Sequence, residues 1–169
     1  MSAVDPNFMH EVANTPRGEG VLTCIQCGRC TSSCPVTRFL DEHNPRRLME
    51  MIILGFRSDV LHKLPWYCLS CFTCLDRCPQ RGDVGEVVFA IRSLAAREGD
   101  IPHGVVEQAK NLLNTGRLIP TSEFMHRQRK ALGLPETSTS TKDAETIMKM
   151  VGFDKMISKA RTRRSELTE

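Results

Sequence analysis

Apolar residues recur along much of this chain every three or four positions, the period of a helix lying on a core. The clearest case is residues 82–100. There Val84, Val87, Val88, Ile91, Leu94 and Ala95 share one face, and Gly99 offers a stop. Earlier, Asn44 followed by Pro45 reads as an N-cap and first helical position. Good helix formers then run over residues 46–54 and end near Gly55. Leu48, Met51, Ile52 and Phe56 line one face of that helix, and Met49 and Ile53 widen it, so cover on more than one side is expected. A short helix over residues 58–64 should stop before Pro65, because the residue preceding proline avoids helical geometry. Residues 104–116 place Val105, Ala109, Leu112 and Leu113 on one face and again end at glycine. Beyond Pro120 the pattern thins. It predicts a helix over 121–132, a break at 133–141, and a segment over 143–166 anchored by Ile147, Met150, Val151, Met156 and Ile157. No strand hairpin is convincing, so the pattern predicts a mainly α chain.

Composition narrows the class. At 169 residues, 40% hydrophobic and 25% charged, the chain suits one soluble globular domain with a tail left over. A net charge of +3 is too mild to imply nucleic acid. The longest apolar stretch around the middle, residues 51–56, is far below the ~20 residues needed to cross a bilayer, so no transmembrane segment is expected. Residues 1–20 are acidic and polar without an apolar signal core, and the expected compartment is the cytoplasm, where structural disulfides are rare.

All eight cysteines fall in two combs of identical spacing, C-x2-C-x2-C-x3-C, each followed by proline: Cys24, Cys27, Cys30, Cys34 with Pro35, and Cys68, Cys71, Cys74, Cys78 with Pro79. Three readings compete. Structural zinc usually uses two separated C-x2-C pairs, unlike four cysteines within eleven residues. Disulfides are opposed by the expected compartment. Iron–sulfur clusters suit the spacing, since three cysteines two residues apart on a tight loop can reach three irons of one cubane. The fourth iron then needs a thiol from elsewhere. Gly28 permits a tight turn, and each proline turns the chain after the last cysteine.

The combs resemble the bacterial ferredoxin signature, in which the fourth cysteine serves the other cluster. That resemblance implies two [4Fe–4S] clusters with crossed ligands: Cys24, Cys27, Cys30 and Cys78 for the first, and Cys68, Cys71, Cys74 and Cys34 for the second. The thirty-three residues between Cys34 and Cys68 are helical in pattern, unlike those of small ferredoxins. Two cluster loops on a helical frame resemble the α-helical ferredoxin family. Within it, residues 20–118 look like the C-type subunits of heterodisulfide reductase. The likeness rests on the combs, residues 45–55, the approach 65–71, and the helix 86–99.

The resemblance implies an electron relay between a flavin-containing A-type subunit and a catalytic B-type subunit. The latter carries CCG motifs and reduces the mixed disulfide of coenzymes M and B in methanogenesis. Hydrogenase or formate dehydrogenase would join a larger complex. The present sequence has no adjacent cysteine pair, no GxGxxG and no phosphate loop, so no substrate-reducing site of its own is expected. The alternative keeps the relay within a sulfur-oxidising reductase-like complex or a quinone-linked dehydrogenase.

Near the combs, Gln26, Thr31, Ser32, Ser33, Ser70 and Thr73 can donate hydrogen bonds to cluster sulfurs, and Arg29, Arg38, Arg77 and Arg81 can act in the same direction. Each also reads simply as a polar loop residue. Trp66 and Tyr67 either shield a cluster or pack in the core. The five histidines, at 10, 43, 62, 103 and 126, show no ligand spacing and read as solvent-facing or capping. The expected division is an extension over 1–19, the di-cluster domain over 20–119, and a docking tail over 120–169. That tail includes five basic residues between Lys155 and Arg164.

Overall fold

Residues 3–135 and 141–160 are described by the structure, a computed structural model. They form ten α-helices joined by turns and short 3-10 segments, and they contain no strand. The chain divides into two compact units, Met1–Asp100 and Ile101–Glu169.

In the first unit the long helix α6 (Val84–Arg97) is the axis. Its predicted stripe, Val84, Val87, Val88, Ile91, Leu94 and Ala95, is buried throughout. Helix α3 (Pro45–Ile53) contributes Leu48, Met49 and Ile52 to the same core. Its start is capped as predicted: Asn44 Oδ1 accepts from the Arg47 N–H at 3.0 Å. The face is narrower than expected, since Ile53 is 38% exposed. Helix α4 (Arg57–His62) ends two residues before the predicted limit, and Pro65 falls within the 3-10 segment Leu64–Tyr67.

Residues 1–19 are not a mere extension. Helix α1 (Phe8–Ala13) packs against α3 and α6 and fully buries Phe8 and Val12. Burying a side chain of the size of Phe8 contributes about 1.5–3 kcal/mol. The Arg57 guanidinium seals this corner. It pairs with Asp5 at 3.8 Å, Glu11 at 2.9 Å and Glu98, and it lies 5.6 Å from the Phe8 ring centroid.

The second unit starts at Ile101, well before the expected tail boundary at 120. It holds α7 (His103–Thr115), α8 (Glu123–Ala131), α9 (Lys142–Met150) and α10 (Phe153–Lys159), with α9 touching both α7 and α10. The buried residues of α7 are Val106 and Ala109, while Val105 is 37% exposed, so the inward face begins one residue later than predicted. Ser122 caps α8, accepting from the Met125 N–H at 3.3 Å. Of the expected anchors Ile157 is buried, whereas Ile147, Met150 and Val151 are exposed. Arg161, Arg163 and Arg164 of the basic run, and residues 136–140 of the expected break, lie outside the described residues.

Candidate metal centre

Both combs follow one backbone path. Each is entered from a 3-10 segment, Glu19–Thr23 or Leu64–Tyr67, and its first cysteine is extended. Two left-handed residues follow. Gln26 (φ 57°) and Gly28 (φ 79°) serve the first comb, and Ser70 (φ 55°) and Phe72 (φ 58°) the second. Short helices then carry the third cysteine: α2 (Arg29–Ser32) and α5 (Thr73–Arg77). Glycine meets the left-handed requirement at position 28 without strain, whereas Phe72 meets it against its intrinsic preference.

The helices α2 and α5 touch, which brings the end of each comb to the start of the other. One hollow is lined by Cys24, Cys27, Cys30 and Cys78, together with Gln26, Arg29, Met49, Gly82 and Val84. A second is lined by Cys68, Cys71, Cys74 and Cys34, together with His43, Leu48, Phe72, Val84 and Val88. Val84, almost fully buried, borders both. The entrance to the first comb also abuts the exit of the second. A Cβ on Gly20 would lie 2.2 Å from the Gly82 carbonyl oxygen, so only glycine fits there.

All eight cysteines are free thiols. Among the described residues, no three of His, Cys, Asp and Glu converge tightly enough for a single metal ion. Four thiols spaced around a hollow instead match a cluster whose four irons each take one thiolate. The donor set, thiol only from the two combs, is that of [4Fe–4S] ligation. Burial pushes the Cys74 thiol up to about 11, with Cys68 nearby adding to it. Burial also raises Cys30, against hydrogen bonds from Thr31. At the rim, hydrogen bonding by the Thr73 backbone and hydroxyl lowers Cys71. Metal binding at the inner thiols therefore has to displace protons.

Donors reach the other sulfurs too: Gln26 Nε2 to Cys24 at 3.4 Å, the Ser70 N–H to Cys68 at 3.4 Å, and the Gly82 N–H to Cys78 at 3.1 Å. Two of these are backbone groups, which no residue letter announces. Of the hydroxyls expected at the sulfurs, Thr73 meets Cys71, while Thr31 and Ser32 also hold other parts of the chain. Thr31 donates to Asn44 Oδ1 at 2.8 Å and accepts from the Arg46 N–H at 2.9 Å, tying α2 to the start of α3. Ser32 donates to the Arg29 carbonyl at 3.0 Å, and Thr73 accepts from Cys71.

Of the four expected arginines only Arg29 lines a hollow, and it is exposed; Arg38, Arg77 and Arg81 are exposed and line neither. Trp66 and Tyr67 line neither hollow; Trp66 packs on the core, and the Tyr67 hydroxyl donates to Glu42. Two residues escape a reading of the sequence. His43, expected to face solvent or cap a helix, is 3% exposed and lines the second hollow, where burial lowers its pKa. Arg92, on α6, holds the second comb from behind. Its Nε donates to the Pro65 carbonyl at 2.9 Å, Nη1 to Ser70 Oγ at 3.0 Å, and Nη2 to the Cys68 carbonyl.

Among the described residues no helix is long and apolar enough to cross a membrane. Residues 20–81 match the family described as a 4Fe–4S dicluster domain. The chain is 33% identical to the second C-type iron–sulfur subunit of CoB–CoM heterodisulfide reductase from Methanocaldococcus jannaschii, over 93% of this chain and 91% of the relative. It is 33% identical to the C2 subunit of the H2/formate:CoB–CoM heterodisulfide, ferredoxin reductase from Methanococcus maripaludis, over 91% of each. It is 34% identical to the C-type subunit of the ferredoxin/F420H2-dependent CoB–CoM heterodisulfide reductase from Methanosarcina acetivorans, over 84% of this chain and 92% of that one.

Proposed function

The chain belongs to the family of C-type heterodisulfide reductase subunits, and from that premise we propose that it is the electron-transfer subunit of such a reductase, holding two [4Fe–4S] clusters. Cys24, Cys27, Cys30 and Cys78 hold the first; Cys68, Cys71, Cys74 and Cys34 hold the second. The observation that carries this reading is the composition of the two hollows: each takes three thiols from one comb and its fourth from the other. A [4Fe–4S] cluster supplies one-electron redox chemistry when bound.

The remaining residues prepare the sites for it. The Gly82 and Ser70 N–H groups and the Gln26 amide stabilise negative charge on the ligating sulfurs. Leu48, Val88 and Phe72 keep water from the second hollow, and Met49 does so at the first. Among the described residues Val84 alone borders both hollows, which favours exchange between them. At the rims Cys27 and Cys71 are exposed, beside Ile25 (59% exposed) and Leu69 (71%). These edges suit close approach by a donor on one side and an acceptor on the other.

The partners that fit this role are a flavin-containing A-type subunit and a CCG-motif B-type subunit that reduces the CoM–CoB heterodisulfide in the cytoplasm. Hydrogenase or formate dehydrogenase would act upstream, and the exposed apolar residues of the C-terminal segment 120–169 would serve docking. No substrate-reducing residue is assigned to this chain, since its cysteines are all used as ligands. Anaerobic purification with iron analysis and EPR tests the reading. About eight irons per chain, two interacting [4Fe–4S] signals and co-purification of a protein with CCG motifs are expected. A single isolated cluster, or bound zinc without visible absorption, would overturn it.

A further inference from the structure

Among the described residues, Arg92 is a half-buried cation that the second comb has and the first lacks. Its guanidinium is fixed on every side. Three hydrogen bonds reach Pro65, Ser70 and Cys68, and its carbon lies 5.7 Å from the Trp66 ring centroid and 5.4 Å from that of Phe89. No carboxylate pairs with it among the described residues, and it binds the backbone carbonyl of Cys68, which lines the second hollow. Arginine keeps its charge at any accessible pH. A sheltered positive charge against a ligating loop stabilises the reduced, more negative state of whatever that loop holds.

The first comb is supported by neutral groups instead. Thr31 and Asn44 bind one another and the first N–H groups of α3. The arginines beside this comb are open to solvent: Arg29 and Arg81 are exposed, and Arg46, with 43% of its side chain exposed, lies over Gly28 and pairs with Glu50 at 4.0 Å. Solvent and salt screen such charges strongly.

We infer that Arg92 is a positioning residue that lifts the reduction potential of the centre in the second hollow above that of the centre in the first. An electron shared between the two centres therefore rests mainly beside Cys68, Cys71 and Cys74, and the partner facing that hollow withdraws it. This inference rests on the two-cluster reading above.

The test is an EPR-monitored redox titration of the full chain, purified without oxygen. Cys27→Ser and Cys71→Ser, each altering one exposed ligand, mark which signal belongs to which hollow. The centre marked by Cys71→Ser is expected to have the higher potential. Arg92→Gln should move that centre downward and leave its neighbour in place, and Arg92→Lys should recover most of the shift. The inference is overturned if the wild-type order is reversed, if Arg92→Gln retains both centres without that downward shift, or if lysine behaves like glutamine. Should Arg92→Gln shed the second centre, the wild-type order read through the two serine variants still decides. Absence of two [4Fe–4S] signals from the wild type would instead defeat the two-cluster reading.

Discussion

Between Cys24 and Cys34 the chain makes its second left-handed turn at Gly28; between Cys68 and Cys78 it makes the same turn at Phe72. The spacing of the cysteines is identical and so is the backbone path, but the surroundings are not. The first loop leans on Thr31 and Asn44. The second leans on Arg92 and on an aromatic stack of Phe72 over Phe89, with centroids 5.9 Å apart and planes 16° from parallel. A left-handed Phe costs about 1–2 kcal/mol. The stack returns about 0.5–1.5 kcal/mol beyond the burial of the ring. Shared spacing therefore sets the shape of a ligand loop, while its neighbours give each loop its own polarity and cover.

The strongest way to break the comparison is Cys34→Ser. Although Cys34 belongs to the first comb, its loss is expected to empty the second hollow, removing roughly half of the iron per chain. Iron analysis with EPR would show which signal goes. Selective loss of the centre held by Cys24, Cys27 and Cys30 would defeat the crossed pairing. Next in size is Gly20→Ala, which forces a Cβ against the Gly82 carbonyl and parts the two loops. A destabilisation of about 1–3 kcal/mol, read from anaerobic thermal unfolding, is expected. An unchanged melting temperature would mean that the two backbones do not meet as described.

Asn44→Ala acts mainly on the first loop. Removing the α3 cap and the Thr31 acceptor should cost about 1 kcal/mol and hasten release of iron from the first hollow more than from the second. Equal release from both, followed with a chelator, would argue against a separate support. Phe72→Gly makes the second turn like the first. Relief of strain offsets only part of what the stack and the ring's burial contribute, and the uncovered second hollow should bleach faster in air. Unchanged bleaching would remove Phe72 from its shielding role.

Much of this is legible in the sequence where a local rule acts alone. The Asn44–Pro45 start of α3 and the stripe from Val84 to Ala95 obey capping and periodicity within a few residues. The spacing of the combs also foretells that their thiols gather, four around each hollow. Other parts depend on distant neighbours. Helix α1 has six residues, too few to show a period, yet Phe8 is wholly buried because α3 and α6 come to meet it. On α7 the adjacent Val105 and Val106 fit the pattern equally well, and the structure buries the second. Arg92 reads as one of several helix arginines, since its acceptors lie 22 to 27 residues earlier in the chain. Phe72 occupies a turn that propensity would assign to glycine.

The proposed exchange of fourth thiols between the combs also bears on how the protein matures in the cell. With α2 against α5 and Gly20 against Gly82, filling either hollow clamps both loops and so pre-shapes the other. Metallation is then expected to be assisted rather than all-or-none: an intact chain that has filled one hollow fills the other more readily, while a chain lacking one thiol keeps the hollow whose four remain.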